Sequence, residues 1–222
     1  MTKVKICGIR FFDDGFAAIE AGADFLGFNF YSQSKRYIEP EVCKRVTHLL
    51  RAQFPNIQFV GIFVNSETDY IKEVKNFCSL DLVQLHGDES HEVVAKLGAF
   101  AYKAFRGIPE QPNDFVQSVE PAFLLDAAST VAYGGTGQQV DWSAAAELAA
   151  KHSIFLAGGL TPDNVAQAIA QVHPWGVDVA SGVETLPGMK DVQKMKDFVN
   201  AVRQTDQTSF KLTTPQTQLE TQ

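Results

Sequence analysis

Ile154-Phe155-Leu156-Ala157-Gly158-Gly159-Leu160-Thr161-Pro162 leads into an amphipathic segment ending at Val172, and Gly176-Val177-Asp178-Val179-Ala180-Ser181-Gly182 follows. The order is a short apolar strand, a glycine turn, a helix, a second apolar strand and a second glycine turn. Two such strands around one helix read as a βαβ unit, with parallel strands covered on both faces. Outward from this unit the same alternation recurs. Runs rich in β-branched and aromatic residues at 3–9, 25–30, 58–64, 82–86, 101–105 and 123–126 join 154–157 and 176–180 to give eight strands. Helical spacing is predicted over 13–23, 39–53, 67–77, 90–97, 114–120, 143–152, 162–172 and 191–204. The 39–53 segment carries Pro40 in its first turn and Val42, Val46, Leu49 and Leu50 at helical spacing. Asp141 and Thr161 stand where polar residues favour a helix start.

Eight strand–helix repeats predict a closed parallel (β/α)8 barrel of the TIM type, with each crossover right-handed. An open doubly wound sheet is the alternative, but no GxGxxG fingerprint follows the first strand and glycine turns recur after several strands. The barrel forms one catalytic domain over residues 1–204. Beyond Gln204 the apolar spacing collapses into a Thr- and Gln-rich stretch, so 205–222 is expected to be a flexible tail outside the fold.

Bulk properties agree with one domain and narrow the function. The 222 residues are 45% apolar, enough for a sizeable core. A net charge of −7 disfavours non-specific nucleic-acid binding, which needs a basic face. Cys7, Cys43 and Cys78 are odd in number and lack CxxC spacing, so neither a disulfide framework nor a zinc site is suggested, and a reducing cytoplasm is expected. The first residues lack a signal-peptide pattern, and no run approaches the ~20 apolar residues of a membrane span.

In such a barrel the chemistry lies at the carboxyl ends of the strands. Cys7 ends the first strand with Lys5 on the same face, and nearby positive charge favours the thiolate that a proton acceptor needs. The alternative is a small buried core cysteine. Asp126 ends an apolar strand, where desolvation raises a carboxyl group's pKa and suits it to general acid work; a helix cap or salt-bridge partner is equally compatible. Arg36, within Ser34-Lys35-Arg36-Tyr37, matches a carboxylate or phosphate bidentately, or is a solvated loop charge. The turns at Gly158-Gly159 and Ser181-Gly182 offer backbone N–H groups to a phosphate, beside a helix start near Pro162 in the first case. His86 and Asp178 are each compatible with a substrate contact or a satisfied structural role. Gly134-Gly135-Thr136-Gly137 is too short for a Walker motif and reads as a mobile loop over the site.

Lys5-Ile6-Cys7-Gly8, Gly22-Ala23-Asp24 with Gly27-Phe28, Ser34-Lys35-Arg36-Tyr37 and Val83-Gln84-Leu85-His86-Gly87 resemble successive motifs of the phosphoribosylanthranilate isomerases. So do Leu125-Asp126, Gly134 to Gly137, Asp141-Trp142, Ala157-Gly158-Gly159-Leu160, Asp178-Val179-Ala180-Ser181-Gly182-Val183-Glu184 and Pro187-Gly188 with Lys190-Asp191. The resemblance spans roughly residues 3 to 203, and its strength lies in the ordered set. It implies Cys7 as general base, Asp126 as general acid, Arg36 on the anthranilate carboxylate, and the turns at Gly158-Gly159 and Ser181-Gly182 on phosphate. His86 and Asp178 join the substrate-binding set. Departures are Ala127 and Ala180, where a hydroxyl residue is common, and Asn29, where apolar residues are common.

The implied reaction is an Amadori rearrangement in tryptophan biosynthesis. The acid protonates the furanose ring oxygen of N-(5-phosphoribosyl)anthranilate, the ring opens to a protonated imine, and the base removes the C2 proton. The substrate nitrogen is the electron sink, so neither metal nor organic cofactor is required. The partner is a small phosphorylated substrate, with no nucleic acid or membrane, and the chain is a monomer or homodimer. Three other readings share the barrel. One is the related isomerase of histidine biosynthesis, disfavoured by Cys7 and the lack of a two-fold repeat. Another is a Schiff-base lyase or aldolase using Lys103. The third is a non-catalytic phosphate-ligand sensor, which an intact Cys7, Arg36 and Asp126 disfavours.

Overall fold

The structure, a computed structural model, describes residues 1–118, 120–126 and 142–213, with side chains placed to residue 208. The eight expected strands are present as β1 (Lys3–Cys7), β2 (Phe25–Asn29), β3 (Gln58–Phe63), β4 (Leu82–Leu85), β5 (Ala101–Arg106), β6 (Phe123–Asp126), β7 (Ile154–Ala157) and β8 (Gly176–Val179). They pair in parallel in chain order and close into a barrel, with β1 against β8 through Lys5 opposite Asp178.

Period-two alternation divides each strand between two cores. Inside the barrel lie Phe25, Val60, Leu82, Tyr102, Ala104, Leu124, Phe155 and Ala157. Phe25, Phe155 and Trp175 close its floor, with ring centroids 5.1–5.7 Å apart. The alternate residues, among them Val4, Ile6, Leu26, Val83, Leu125 and Val177, pack outward against the helices. Polar residues inside, at Lys5, Gln84 and Asp178, are therefore exceptions to an apolar rule.

Among the described residues, seven α-helices cover the barrel: α1 (Phe12–Glu20), α2 (Pro40–Gln53), α3 (Thr68–Phe77), α4 (His91–Leu97), α5 (Trp142–Ala149), α6 (Val165–Val172) and α7 (Val192–Thr213). α2 buries Cys43, Val46, Thr47 and Leu50, the spacing of one helical face. The helix expected over 114–120 is instead a 3-10 turn, Pro112–Phe115. Its short span lies between two prolines and carries β-branched Val116, so helix nucleation has little to offset it. Phe115 anchors the segment by its edge contact with Phe105, 5.0 Å between centroids. α6 starts three residues later than expected, because Asn164 Oδ1 accepts the Thr161 N–H at 2.8 Å and holds 161–164 as a turn.

The tail boundary also shifts. α7 continues to Thr213, so 205–213 belong to a helix and not to the expected flexible tail. The reason is polar: Asp206 accepts the Thr2 backbone N–H at 2.9 Å and the Thr2 hydroxyl at 2.7 Å, which an apolar pattern does not reveal. Residues 214–222, the Gly134–Gly137 loop, Ala127 and Asp141 lie outside the described residues. Among the described residues, no helix is long and apolar enough to cross a membrane.

Candidate active site

At the carboxyl ends of the strands the barrel opens into a cavity of about 270 Å³. Cys7, Arg36, His86, Asp126, Gly158, Gly159, Asp178 and Ser181 all line it. Gly182 stands directly behind, where a Cβ would come within 1.9 Å of the Leu160 carbonyl oxygen. Eight residues separated by up to 174 positions thus meet at one place.

Cys7 ends β1 with its side chain toward the cavity. Gly27 on the neighbouring strand leaves room for it: a Cβ there would lie 2.9 Å from Cys7 Sγ. Below it, Lys5 Nζ and Asp178 Oδ1 pair at 2.9 Å, with the Lys5 side chain fully buried. Burial disfavours the Lys5 charge, but Asp178, together with Cys7 and Tyr102, outweighs it and raises the ammonium above its ordinary range. The same burial pushes the Cys7 thiol up from 9.0, against the pull of Lys5 and Lys190. The sequence expectation that Lys5 favours the thiolate therefore holds for the direction of its effect, while desolvation sets the net sign.

Arg36 is clamped rather than solvated. Its Nε and Nη2 donate to Glu184 Oε1 and Oε2 at 2.8 and 2.7 Å. Glu184 Oε1 also accepts from buried Lys190 at 2.9 Å. Burial raises the Glu184 carboxyl, but Arg36 and Lys190 more than reverse it, so it stays ionised. Lys190 donates in addition to the Ala180 carbonyl at 3.0 Å, tying the clamp to the turn after β8. Sequence reading placed Glu184 and Lys190 in motifs without giving them a role. Their signal is weak, because Glu184 and Arg36 are 148 positions apart.

Across the cavity, His86 Nε2 lies 3.5 Å from Asp126 Oδ2. Gln84 Nε2 lies 3.1 Å from His86 Nδ1, and the buried Tyr102 hydroxyl donates to Gln84 Oε1 at 3.0 Å. Gln84 is a further residue missed from sequence. Its signal was a polar side chain two positions before His86 on an otherwise apolar strand.

The glycine turns follow β7 and β8 at the cavity. Gly158 and Gly159 have φ of +91° and +66°, which favours glycine at both. Asn164 Nδ2 donates to the Gly159 carbonyl at 3.0 Å and joins the turn to the start of α6. Ser181–Val183 forms a 3-10 turn after β8. Asn29, also on the cavity wall, accepts the Tyr31 N–H at 2.9 Å and shapes the following loop.

Lys103 is excluded as a Schiff-base residue by its parity on β5. Its neighbours Tyr102 and Ala104 face the barrel interior, and Lys103 points outward. There its ammonium donates to Glu89 at 2.8 Å and the Gly87 carbonyl at 2.6 Å.

Comparisons with known proteins converge on one group. Residues 4–201 match the family model described as N-(5'phosphoribosyl)anthranilate (PRA) isomerase. An N-(5'-phosphoribosyl)anthranilate isomerase of Geobacter sp. (strain M21) is 48% identical over 200 residues, 90% of this chain and 97% of the relative. The crystal structure of phosphoribosyl anthranilate isomerase from Thermotoga maritima superposes with a TM-score of 0.82 at 39% identity, covering 92% of this chain and all (100%) of that one. A further structure, of such an isomerase in complex with reduced 1-(o-carboxyphenylamino)-1-deoxyribulose 5-phosphate, gives a TM-score of 0.77 at 36% identity, over 92% of this chain and 100% of the other.

Proposed function

Because the chain belongs to the N-(5'-phosphoribosyl)anthranilate isomerase family, we propose that Cys7 is the general base and Asp126 the general acid of its Amadori rearrangement. The chain is an isomerase of that type and acts in tryptophan biosynthesis. The assignment of roles rests on one observation: Cys7 and Asp126 line the same cavity from β1 and β6, strands separated by β7 and β8 around the barrel wall.

Asp126 protonates the furanose oxygen, and the C1–O bond breaks to give a protonated imine. The cation acidifies the C2 proton, which Cys7 removes as thiolate, and the resulting enolamine tautomerises to the ketose. The imine cation beside Cys7 also opposes the desolvation that raises the thiol pKa, so the thiolate is most populated when the substrate cation is present. Arg36, held by Glu184, pairs with the anthranilate carboxylate through the part of its guanidinium that lines the cavity. The backbone N–H groups of the Gly158-Gly159 and Ser181-Gly182 turns bind the phosphate. Anchors at both ends hold the reacting carbons between acid and base, which is the source of the effective concentration.

The partner is a small phosphorylated molecule, with no nucleic acid. All nine candidate residues come from one chain, so a monomer and a homodimer alike carry complete sites. The biosynthetic role supports a cytoplasmic setting. The test follows the fluorescence of freshly generated substrate with Cys7→Ser and Asp126→Asn variants, each checked for folding. Losses of about 100-fold or more in kcat are expected for each. Near-normal turnover by either folded variant rejects its role.

A further inference from the structure

The proton on Asp126 must face the substrate to be useful, and a chain of polar side chains runs from the barrel interior toward that carboxyl group. Tyr102 is fully buried on β5, and its hydroxyl donates to Gln84 Oε1 at 3.0 Å. Burial also pushes the Tyr102 phenol up, so it keeps the hydrogen it donates. With its oxygen thus engaged, Gln84 turns its amide nitrogen to His86 Nδ1 at 3.1 Å. An amide nitrogen only donates, so Nδ1 must offer a lone pair, and the proton of a neutral imidazole is then on Nε2. Nε2 in turn lies 3.5 Å from Asp126 Oδ2.

The two tautomers have opposite consequences for an acid at Asp126. With the hydrogen on Nε2, the imidazole cannot take the carboxylic proton, which stays available for transfer to the sugar. After transfer, the same N–H stabilises the new carboxylate. With the hydrogen on Nδ1, the bare Nε2 would draw the acidic proton into an Oδ2–H···N contact away from substrate. We propose that Gln84 and Tyr102 are positioning residues that lock His86 in its Nε2–H tautomer and so direct the Asp126 proton toward the substrate. His86 is accordingly the residue through which they act, a role different from the substrate contact expected from sequence. The proposal rests on the reading of Asp126 as general acid.

The test begins with the unaltered full chain, 15N-labelled at histidine. Long-range 15N–1H correlations report which ring nitrogen is protonated, and His86→Asn identifies the His86 signals by their loss. A protonated Nε2 and a bare Nδ1 are expected; an Nδ1–H tautomer overturns the proposal without recourse to any variant. Gln84→Glu then replaces the donor by a carboxylate that accepts from Nδ1, which should invert the tautomer. Its expected cost is about 100-fold in kcat with KM within about 3-fold of the parent. Tyr102→Phe frees the amide to rotate, and about 10-fold in kcat with mixed tautomers is expected. Unchanged kcat in Gln84→Glu, or a change confined to KM, overturns the positioning role. Asp126→Asn, run alongside, separates the two failures. If it retains turnover, the general-acid reading is wrong; if it is inactive while Gln84→Glu turns over normally, only the positioning role is wrong.

Discussion

At Cys7 two opposing effects act on one proton. Burial raises the thiol above 9.0, while Lys5 and Lys190 lower it. The base is the thiolate, so activity of the free enzyme falls as pH drops below the thiol pKa, and anything that raises the pKa moves that limb to higher pH. Lys5→Met removes the largest downward influence and should shift the limb alkaline. Iodoacetamide alkylation of Cys7 against pH checks this, since Cys43 and Cys78 are both 0% exposed. An alkylation profile unmoved by the substitution would mean that Lys5 does not act on the thiol. The same variant strands Asp178 in the barrel interior, at about 3–5 kcal/mol of stability, and Lys5→Met with Asp178→Leu should recover most of it, as read by urea unfolding.

The glycines separate steric from conformational need. Gly182→Ala forces a Cβ to 1.9 Å from a backbone oxygen, and the turn after β8 must move. Gly159→Ala meets nothing within 4 Å and is strained only by its φ of +66°, a cost of about 1–2 kcal/mol. Gly182→Ala should therefore raise KM by at least about 10-fold, against about 3-fold or less for Gly159→Ala. Equal effects on KM would show that displacement of the turn does not matter to phosphate. At this scale Cys7, Asp126 and Asp178 stood out as polar residues on apolar strands, and they line one cavity, whereas Gln84 carried the same signal and was passed over. Glu184 was opaque, because its importance comes from a partner that only the closed barrel brings near.

Among the elements, strand positions and their starts were legible because alternation repeats, whereas six of the eight carboxyl ends differ by one or two residues. Sequence extended β1 to Ile9, but pairing stops at Cys7 and Gly8 turns with φ of +82°. The segment 114–120 had helical spacing without the length to nucleate a helix. The loop between β2 and α2 carries Arg36, and the turn after β8 leads into β9 (Glu184–Leu186), which carries Glu184. Their joint is the bidentate contact, backed by Lys190. Glu184→Gln keeps the shape but loses the second acceptor and the charge. The guanidinium then loses its fixed orientation, and KM should rise about 10-fold with kcat changed less than about 3-fold. A fall in kcat at constant KM would place Glu184 with the chemistry instead.

For the whole molecule, closure was legible from the count of eight strands, but the way the chain's ends are fastened was not. β1 is joined to β8 by backbone pairing, and α7 returns over the barrel to reach the first residues. Asp206 accepts from the Thr2 N–H and hydroxyl, while Arg203 donates to the Thr2 carbonyl at 2.6 Å and to Asp24 Oδ2 at 3.1 Å. These contacts join residues about 200 positions apart, so no local pattern announces them, and Thr205–Thr213 looked like tail. Hydrogen bonds to a charged, partly buried group are each worth about 1.5–3 kcal/mol at most. Asp206→Ala should thus cost about 2 kcal/mol and lower Tm by about 4–8 °C for a domain of this size. Ending the chain after Gln204 should cost at least as much, whereas ending it after Thr213 should stay within about 0.5 kcal/mol. The cavity lies at the opposite end of the strands, so kcat at 25 °C should change less than about 3-fold in all three. Calorimetry and turnover on the same samples distinguish a fastening of the barrel from a dispensable tail. If ending the chain after Gln204 leaves Tm unchanged, the boundary drawn from the apolar pattern was the physical one, and the Asp206 contacts contribute nothing.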